Sequence, residues 1–240
     1  MWEPQLVLAE HGWRVIAPQF RGFDGGPGGP GGPGDVDEPQ ASSVDDYAAD
    51  VIDLLDTLHV QDAVIGGLSM GGYAAFAVFR HAPRYVRSLI LADTRSQADT
   101  PEGVEGRTRM LRLVGDQGVS AIADEMIPKL LGASTRAQCP DVVDRVRSLV
   151  LSNSAASIAS AIRVLMTRLD STPTLGTIHC PTLIVVGDED VLTSRGMSEQ
   201  MQAAISGAEL AVIAGAGHLS SFEQPDLFNA ALARFLTHRV

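Results

Sequence analysis

Several kinds of residue and pattern are scarce in this 240-residue chain, and each scarcity removes a class of function. Cysteine occurs only at Cys139 and Cys180, too seldom for a disulfide scaffold or a thiolate zinc site, so both are read as reduced small hydrophobes. Basic residues are outnumbered, with 18 Lys plus Arg against 29 Asp plus Glu and a formal charge of −11, which argues against nucleic acid or an anionic membrane as partner. No apolar run approaches the ~20 residues that cross a bilayer. Met1-Trp2-Glu3-Pro4 lacks the basic start and apolar stretch of a signal peptide, so the expected location is the cytoplasm. What remains is 45% hydrophobic and 20% charged, a composition that buries a core and excludes disorder as the main state.

Short β-branched runs alternate with amphipathic stretches. Trp13 to Pro18, Ala63 to Gly67, Val86 to Ala92, Thr182 to Val186 and Glu209 to Ile213 each end near Gly, Pro or Asp, as strands of a parallel sheet do. Between them, Val44 to Leu58 places Tyr47, Val51, Leu54, Leu55 and Leu58 on one face, and Ser43 with Asp46 offers a capping box. Phe228, Ala231, Leu232 and Phe235 form a second stripe behind Pro225. The alternation predicts an α/β fold, a parallel sheet covered on both faces. Two segments interrupt it. Asp24 to Gly34 carries three Gly-Gly-Pro triplets, read as a flexible surface loop within a Gly/Pro-rich stretch 24–40. From Arg95 to about Thr177 strand signals stop and helical spacings such as Ile122, Met126, Ile127, Leu130 take over. This predicts a helical cap, 95–177, between a first core part, 1–94, and a second, 178–240. Ordinary crossover helices are the alternative, though ~80 residues far exceeds what a crossover requires.

Chemistry concentrates at three strand ends. Gly67-Leu68-Ser69-Met70-Gly71-Gly72 follows one apolar strand and opens a helix from Tyr73 to His81, the context of a nucleophile elbow. Such a turn strains the serine backbone, so the residues two before and two after, Gly67 and Gly71, are expected to need to be small. It also sets Ser69 at a helix N-terminus, where free N–H groups stabilise negative charge. A serine nucleophile needs a base held by a carboxylate. His218, in Gly215-Ala216-Gly217-His218 after a strand, is the candidate base; His11, His59, His81, His179 and His238 read as solvated or capping residues. After another strand, Asp188-Glu189-Asp190 offers three carboxylates. Asp190 is the candidate acid and its two neighbours are read as solvated turn residues. Asp93, after Val86 to Ala92, is a second topologically allowed acid, read more simply as a helix cap.

The order Ser69, Asp190, His218 is that of α/β-hydrolases. The chain resembles this superfamily, and within it bacterial carboxylesterases and 3-oxoadipate enol-lactonase-like hydrolases. The resemblance lies in RVIAPQFRGFDG (14–25), VIGGLSMGGYAAF (64–76), SLILADT (88–94), PTLIVVGDEDVLT (181–193) and GAGHLSSFEQPDLF (215–228). It implies an α/β-hydrolase fold with a mostly parallel sheet and a helical cap. It implies Ser69 as nucleophile, Asp190 as acid, His218 as base and the Met70 N–H as one oxyanion donor. It also implies a small carboxylic ester or lactone as substrate and neither cofactor nor metal; the acidic charge balance, as above, argues against nucleic-acid or membrane partners, and self-association is left open. In this superfamily two or three strands precede the first helix, and a His-Gly loop supplies the second oxyanion donor. The present chain starts within that helix, so the resemblance implies that the N-terminal strands are missing and the chain is truncated. His11-Gly12 does not replace the loop, because Trp13 follows at once and a parallel crossover needs about a dozen residues; Gly12 reads instead as a helix end. Two alternatives remain: a cofactor-free haloperoxidase or perhydrolase of the same fold, and a non-catalytic homologue.

Overall fold

A computed structural model describes residues 1–23 and 40–240; the expected Gly-Gly-Pro loop, 24–34, lies outside the described residues. The frame is an all-parallel sheet of four strands in the spatial order of the chain: β1 (Ala63–Leu68), β2 (Val86–Ala92), β3 (Thr182–Gly187) and β4 (Glu209–Ile213). A 3-10 helix (Glu3–His11), α1 (Val44–Thr57) and α2 (Met70–His81) occupy the first part of the chain. Between β2 and β3 come α3 (Pro101–Leu130), α4 (Ala133–Gln138), α5 (Pro140–Leu151), α6 (Ala155–Met166) and α7 (Thr172–Leu175). After β3 follow α8 (Arg195–Ala204), α9 (Ser220–Glu223) and α10 (Pro225–Arg239).

The two central strands are apolar on both faces because both faces are covered. Alternate residues point to opposite sides. Leu89, Leu91 and Ile184 pack with Tyr47 of α1 and Phe76 and Val78 of α2. Ile90, Leu183 and Val185 pack on the other side with Phe228 and Phe235 of α10 and Leu8 of the 3-10 helix. The stripes foreseen for α1 and α10 are thus the faces that close the two halves of the core. At the start of α1, Ser43 Oγ accepts from Asp46 N at 3.3 Å and Asp46 Oδ2 accepts from Ser43 N at 3.0 Å, a closed capping box. Gly12 ends the first helix with φ +87°, its N–H donating to Ala9 O at 3.1 Å, a left-handed termination that glycine adopts without steric cost.

One expected strand does not form. Trp13–Pro18 joins no ladder among the described residues. Its side chains alternate between half-buried Trp13 and Val15 and exposed Arg14 and Ile16, so the local period is that of a strand, but a strand exists only where another backbone takes its N–H and C=O groups.

The register aligns the strand ends. Leu68 sits beside Ala92, Ala92 beside Val185, and Gly187 beside Ile213, so the residues that follow all four strands emerge along one edge of the sheet. That edge is where open α/β sheets bind ligands. The helices between β2 and β3 are joined to the body partly by a buried ion cluster. Asp99, its side chain 3% exposed, meets the guanidinium groups of Arg95, Arg107 and Arg168, the last at 2.8 Å. Arg168 also lies 4.4 Å from the centre of the Tyr73 ring on α2. Among the described residues no single helix is long and apolar enough to cross a membrane.

Candidate active site

Ser69 is held at φ +52°, ψ −111° between β1 and α2, a left-handed φ that costs a non-glycine residue energy and persists only when its surroundings enforce it. Hydrogen bonds to its backbone do so, the shortest of which are three. Ser69 N donates to Ala92 O at 2.9 Å, and Ser69 O accepts from Gly72 N at 2.9 Å and from Thr94 Oγ1 at 2.8 Å. The turn is tight enough that a Cβ on Gly67 would fall within the backbone of Gly71, and one on Gly72 would fall 2.6 Å from Thr94 Cγ2. A Cβ on Gly71 would meet nothing within 4 Å. The expectation that both Gly67 and Gly71 must be small is therefore corrected: the close approach is one-sided, and the second obligatory glycine is Gly72. The side chain of Ser69 is half-exposed. Met70 N–H, first in α2, has no partner among the described residues.

Asp190 and His218 meet. His218 Nδ1 lies 2.9 Å from Asp190 Oδ2, in surroundings where the two residues are 3% and 6% exposed. The carboxylate is further fixed by Leu192 N at 2.7 Å and Thr193 N at 3.0 Å on Oδ1, and by the Thr193 hydroxyl on Oδ2. Burial works to raise the Asp190 carboxyl, but the hydrogen bond and charge of His218, with the Thr193 donors, hold it below its ordinary value. An ionised Asp190 makes His218 Nδ1 the protonated nitrogen and leaves Nε2 as the acceptor. Ser69 Oγ makes no hydrogen bond to His218. The two are connected through the neighbouring strand end, where Thr94 holds the Ser69 carbonyl and Asp93 holds Ser220 of the His218 loop.

Asp93 is not a helix cap. It is fully buried at φ +42°, accepts from Gly187 N at 2.9 Å and receives the Ser220 hydroxyl. Burial pushes its carboxyl up to about 7, against the opposing pull of His218, Ser220 and the Gly187 N–H. The neighbours of Asp190 lie in a turn as expected, Asp188 exposed and Glu189 half-buried, but both side chains hold backbone N–H groups. Asp188 Oδ1 accepts from Gly215 N at 2.7 Å, and Glu189 accepts from Ser134 N at 2.8 Å and from the Ser134 hydroxyl. Sequence reasoning missed Thr193 and Glu223. The first lies three residues past Asp190, a spacing that favours side-chain-to-backbone turns. Glu223 has no local signal. The other histidines stand apart from this edge: His81 faces Asp45 at 3.1 Å and is half-exposed, and His59 is exposed at the end of α1 with φ +54°.

The fold has counterparts of known structure. The chain is 36% identical to a thermophilic esterase from Thermogutta terrifontis, with a TM-score of 0.88 over 98% of this chain and 84% of that one. It is 26% identical to the enol-lactonase from Burkholderia xenovorans LB400, with a TM-score of 0.84 over 99% of this chain and 86% of that one. Among curated proteins, 3-oxoadipate enol-lactonase 2 of Acinetobacter baylyi is 28% identical over 232 residues, 97% of this chain and 82% of the relative. The family model described as alpha/beta hydrolase family matches residues 1–231; with this sheet, this elbow and these relatives, the chain belongs to the alpha/beta hydrolase family and is a hydrolase.

Proposed function

We propose that the protein is a serine hydrolase that cleaves a small carboxylic ester or lactone through an acyl-enzyme. The observation that carries this reading is the buried Asp190–His218 hydrogen bond, which orients an imidazole at the same sheet edge as a serine on a strained elbow. In the proposed cycle Nε2 of His218 takes the proton from Ser69 Oγ as the oxygen attacks the acyl carbonyl. The carbonyl oxygen becomes an alkoxide, to which the Met70 N–H donates. His218 then gives its proton to the leaving alkoxide, which in a lactone stays attached to the acyl chain. A water deprotonated by His218 attacks the acyl-enzyme, and collapse returns Ser69 and releases the acid. Asp190 keeps Nδ1 protonated and offsets the charge of the imidazolium throughout. The similarity to an esterase and to enol-lactonases supports an ester or lactone as substrate.

The test is labelling with a fluorophosphonate together with hydrolysis of a panel of p-nitrophenyl esters and simple lactones. The reading expects stoichiometric labelling at Ser69, loss of labelling in Ser69→Ala, and a fall in kcat/KM on the order of 10⁴-fold or more in that variant. Absence of labelling in the folded wild-type chain, or more than about a tenth of the activity left in Ser69→Ala, overturns it.

A further inference from the structure

We propose that Gly132, at the joint between α3 and α4, is a positioning residue for the Asp190–His218 pair, the point at which the helices between β2 and β3 set the place of the proposed catalytic base. This rests on the acid–base assignment above. The loops carrying acid and base are both fastened to the same short stretch, 130–134. From the base side, Glu223 Oε1 accepts from Gly217 N at 2.8 Å and from Leu219 N at 3.2 Å, the residues on either side of His218. Its Oε2 accepts from Gly132 N at 2.8 Å, and Leu219 N also donates to Leu130 O at 3.2 Å. From the acid side, Glu189, immediately before Asp190, takes the N–H and the hydroxyl of Ser134.

The backbones at this joint are in direct contact. A Cβ on Gly217 would run into Gly132 N and lie 2.7 Å from Leu131 C, and one on Gly132 would lie 2.6 Å from Glu189 Oε2 and 2.9 Å from Gly217 N. A Cβ on Gly187, the last residue of β3, would fall within the backbone of Ala216 and Gly217. Gly132 itself has φ −58°, ψ 153°, a conformation open to any residue, so what demands glycine is this approach and not the backbone. Glu223 is 6% exposed and forms no ion pair among the described residues. A carboxylate buried without a cation is costly unless its oxygens are fully used. The three N–H groups it holds are the two that flank His218 and the one at the joint, so a displacement of Gly132 is transmitted to the imidazole from both sides. Displacements on the order of 1 Å at a catalytic group can cost about 100-fold in rate.

The experiment compares Gly132→Ala with Gly115→Ala, a glycine in α3 whose added Cβ would meet nothing within 4 Å, in the full chain. It reads kcat and KM for an ester, thermal melting, and the low-field proton resonance of the His218 Nδ1–H bonded to Asp190. Expected for Gly132→Ala are a cooperative melt, a fall in kcat of about tenfold or more with KM within about threefold, and a displaced or broadened resonance; Gly115→Ala leaves the kinetics and the resonance at wild-type values and melts at or slightly above the wild-type temperature. A folded Gly132→Ala chain with kcat within twofold of wild type and an unchanged resonance overturns the proposal. If Gly132→Ala does not fold, Glu223→Gln and Glu189→Gln decide. A fall in kcat of about threefold or more in either, with KM unmoved, supports the proposal, and wild-type kcat in both overturns it. If wild-type Ser69 fails to label with a fluorophosphonate, the serine-hydrolase reading falls, while the resonance still reports whether Gly132 positions the pair.

Discussion

Gly67 and Gly71 flank Ser69 symmetrically in sequence but not in space: a Cβ on Gly67 would enter the backbone of Gly71, whereas a Cβ on Gly71 would point into open space. Gly71 is the second residue of α2, where alanine is intrinsically the better helix former by up to about 1 kcal/mol. Gly71→Ala is therefore expected to melt at or slightly above the wild-type temperature and to keep its activity. Gly67→Ala must move the strand end away from the helix and is expected to melt at least about 5 °C lower, the equivalent of about 2 kcal/mol for a chain of this size. Thermal melts of the two variants check this, and equal melting temperatures would contradict the one-sided geometry.

Three aspartates stand near the proposed base, and only Asp190 contacts its imidazole. Asp190→Asn is expected to lower kcat several hundredfold or more, because an amide can present a donor to Nδ1 and favour the wrong tautomer. Asp188→Asn, which loses a charge but keeps an acceptor for Gly215 N, should stay within about threefold of wild type. Asp93→Asn should cost less than about tenfold, since the amide can still accept from Gly187 N while its NH₂ turns to the Ser220 oxygen. Steady-state kinetics on the three variants at one pH decide the order. A loss at 93 exceeding that at 190 would move the acid to β2.

The chemistry-bearing strand ends were legible in the sequence because they depend on local signals. An apolar run followed by Gly-x-x-Asp or by Gly-His places the side chain just past a strand, and glycines around Ser69 mark a tight turn, though only Gly67 and Gly72 are held to glycine by contact. Ser43 and Asp46 likewise announced the start of α1. What escaped was nonlocal. Trp13–Pro18 has the period of a strand, but its pairing depends on a backbone that its own residues do not specify. Asp93 read as a cap because its partners, Gly187 and Ser220, lie 94 and 127 positions away. Glu189 and Glu223 read as solvated or went unread because the groups they hold in the helical segment, Ser134 and Gly132, are 55 and 91 positions distant. Carboxylates aimed at backbone N–H groups leave no complementary charge in the sequence to find them by.

Asp93 and Asp190 should pull stability in opposite directions with pH. The Asp93 carboxyl is raised by burial to about 7, so the folded chain holds a proton there that the unfolded chain releases near pH 4. Its contribution is fully present below pH 4 and is lost as pH rises to about 7, above which both states are ionised. Asp190, held below its ordinary value, contributes above pH 4 and loses that contribution as pH falls. Asp93→Asn removes the first dependence and leaves the second. The variant is expected to gain on the wild type as pH rises from about 4 to 7, by a few kcal/mol, or at least about 5 °C, and to keep a constant lead above that. Melting both proteins from pH 4.5 to 8.5 tests the sign, and a difference that does not change with pH would show that Asp93 is ionised throughout.

The ion cluster under the helical segment makes a prediction of its own, because its members differ in access to water. The side chains of Arg95 and Arg107 are 19% and 21% exposed and can turn outward, whereas Arg168, at 2%, is enclosed between Asp99, the Gln97 carbonyl at 3.0 Å and the Tyr73 ring. Removing Asp99 leaves that guanidinium buried without a counter-charge, a change that costs about 3 to 5 kcal/mol where it has been measured in other proteins. Asp99→Ala is expected to fall in that range, seen as a drop in melting temperature on the order of 10 °C. Arg168→Met keeps an apolar stem over Tyr73 and removes the charge at issue. The double variant Asp99→Ala with Arg168→Met should therefore be more stable than the sum of the single losses by more than about 1 kcal/mol. Urea unfolding of the four proteins measures this coupling. Strict additivity would mean that Asp99 serves the two outward arginines and that Arg168 is satisfied by carbonyls and the aromatic face alone.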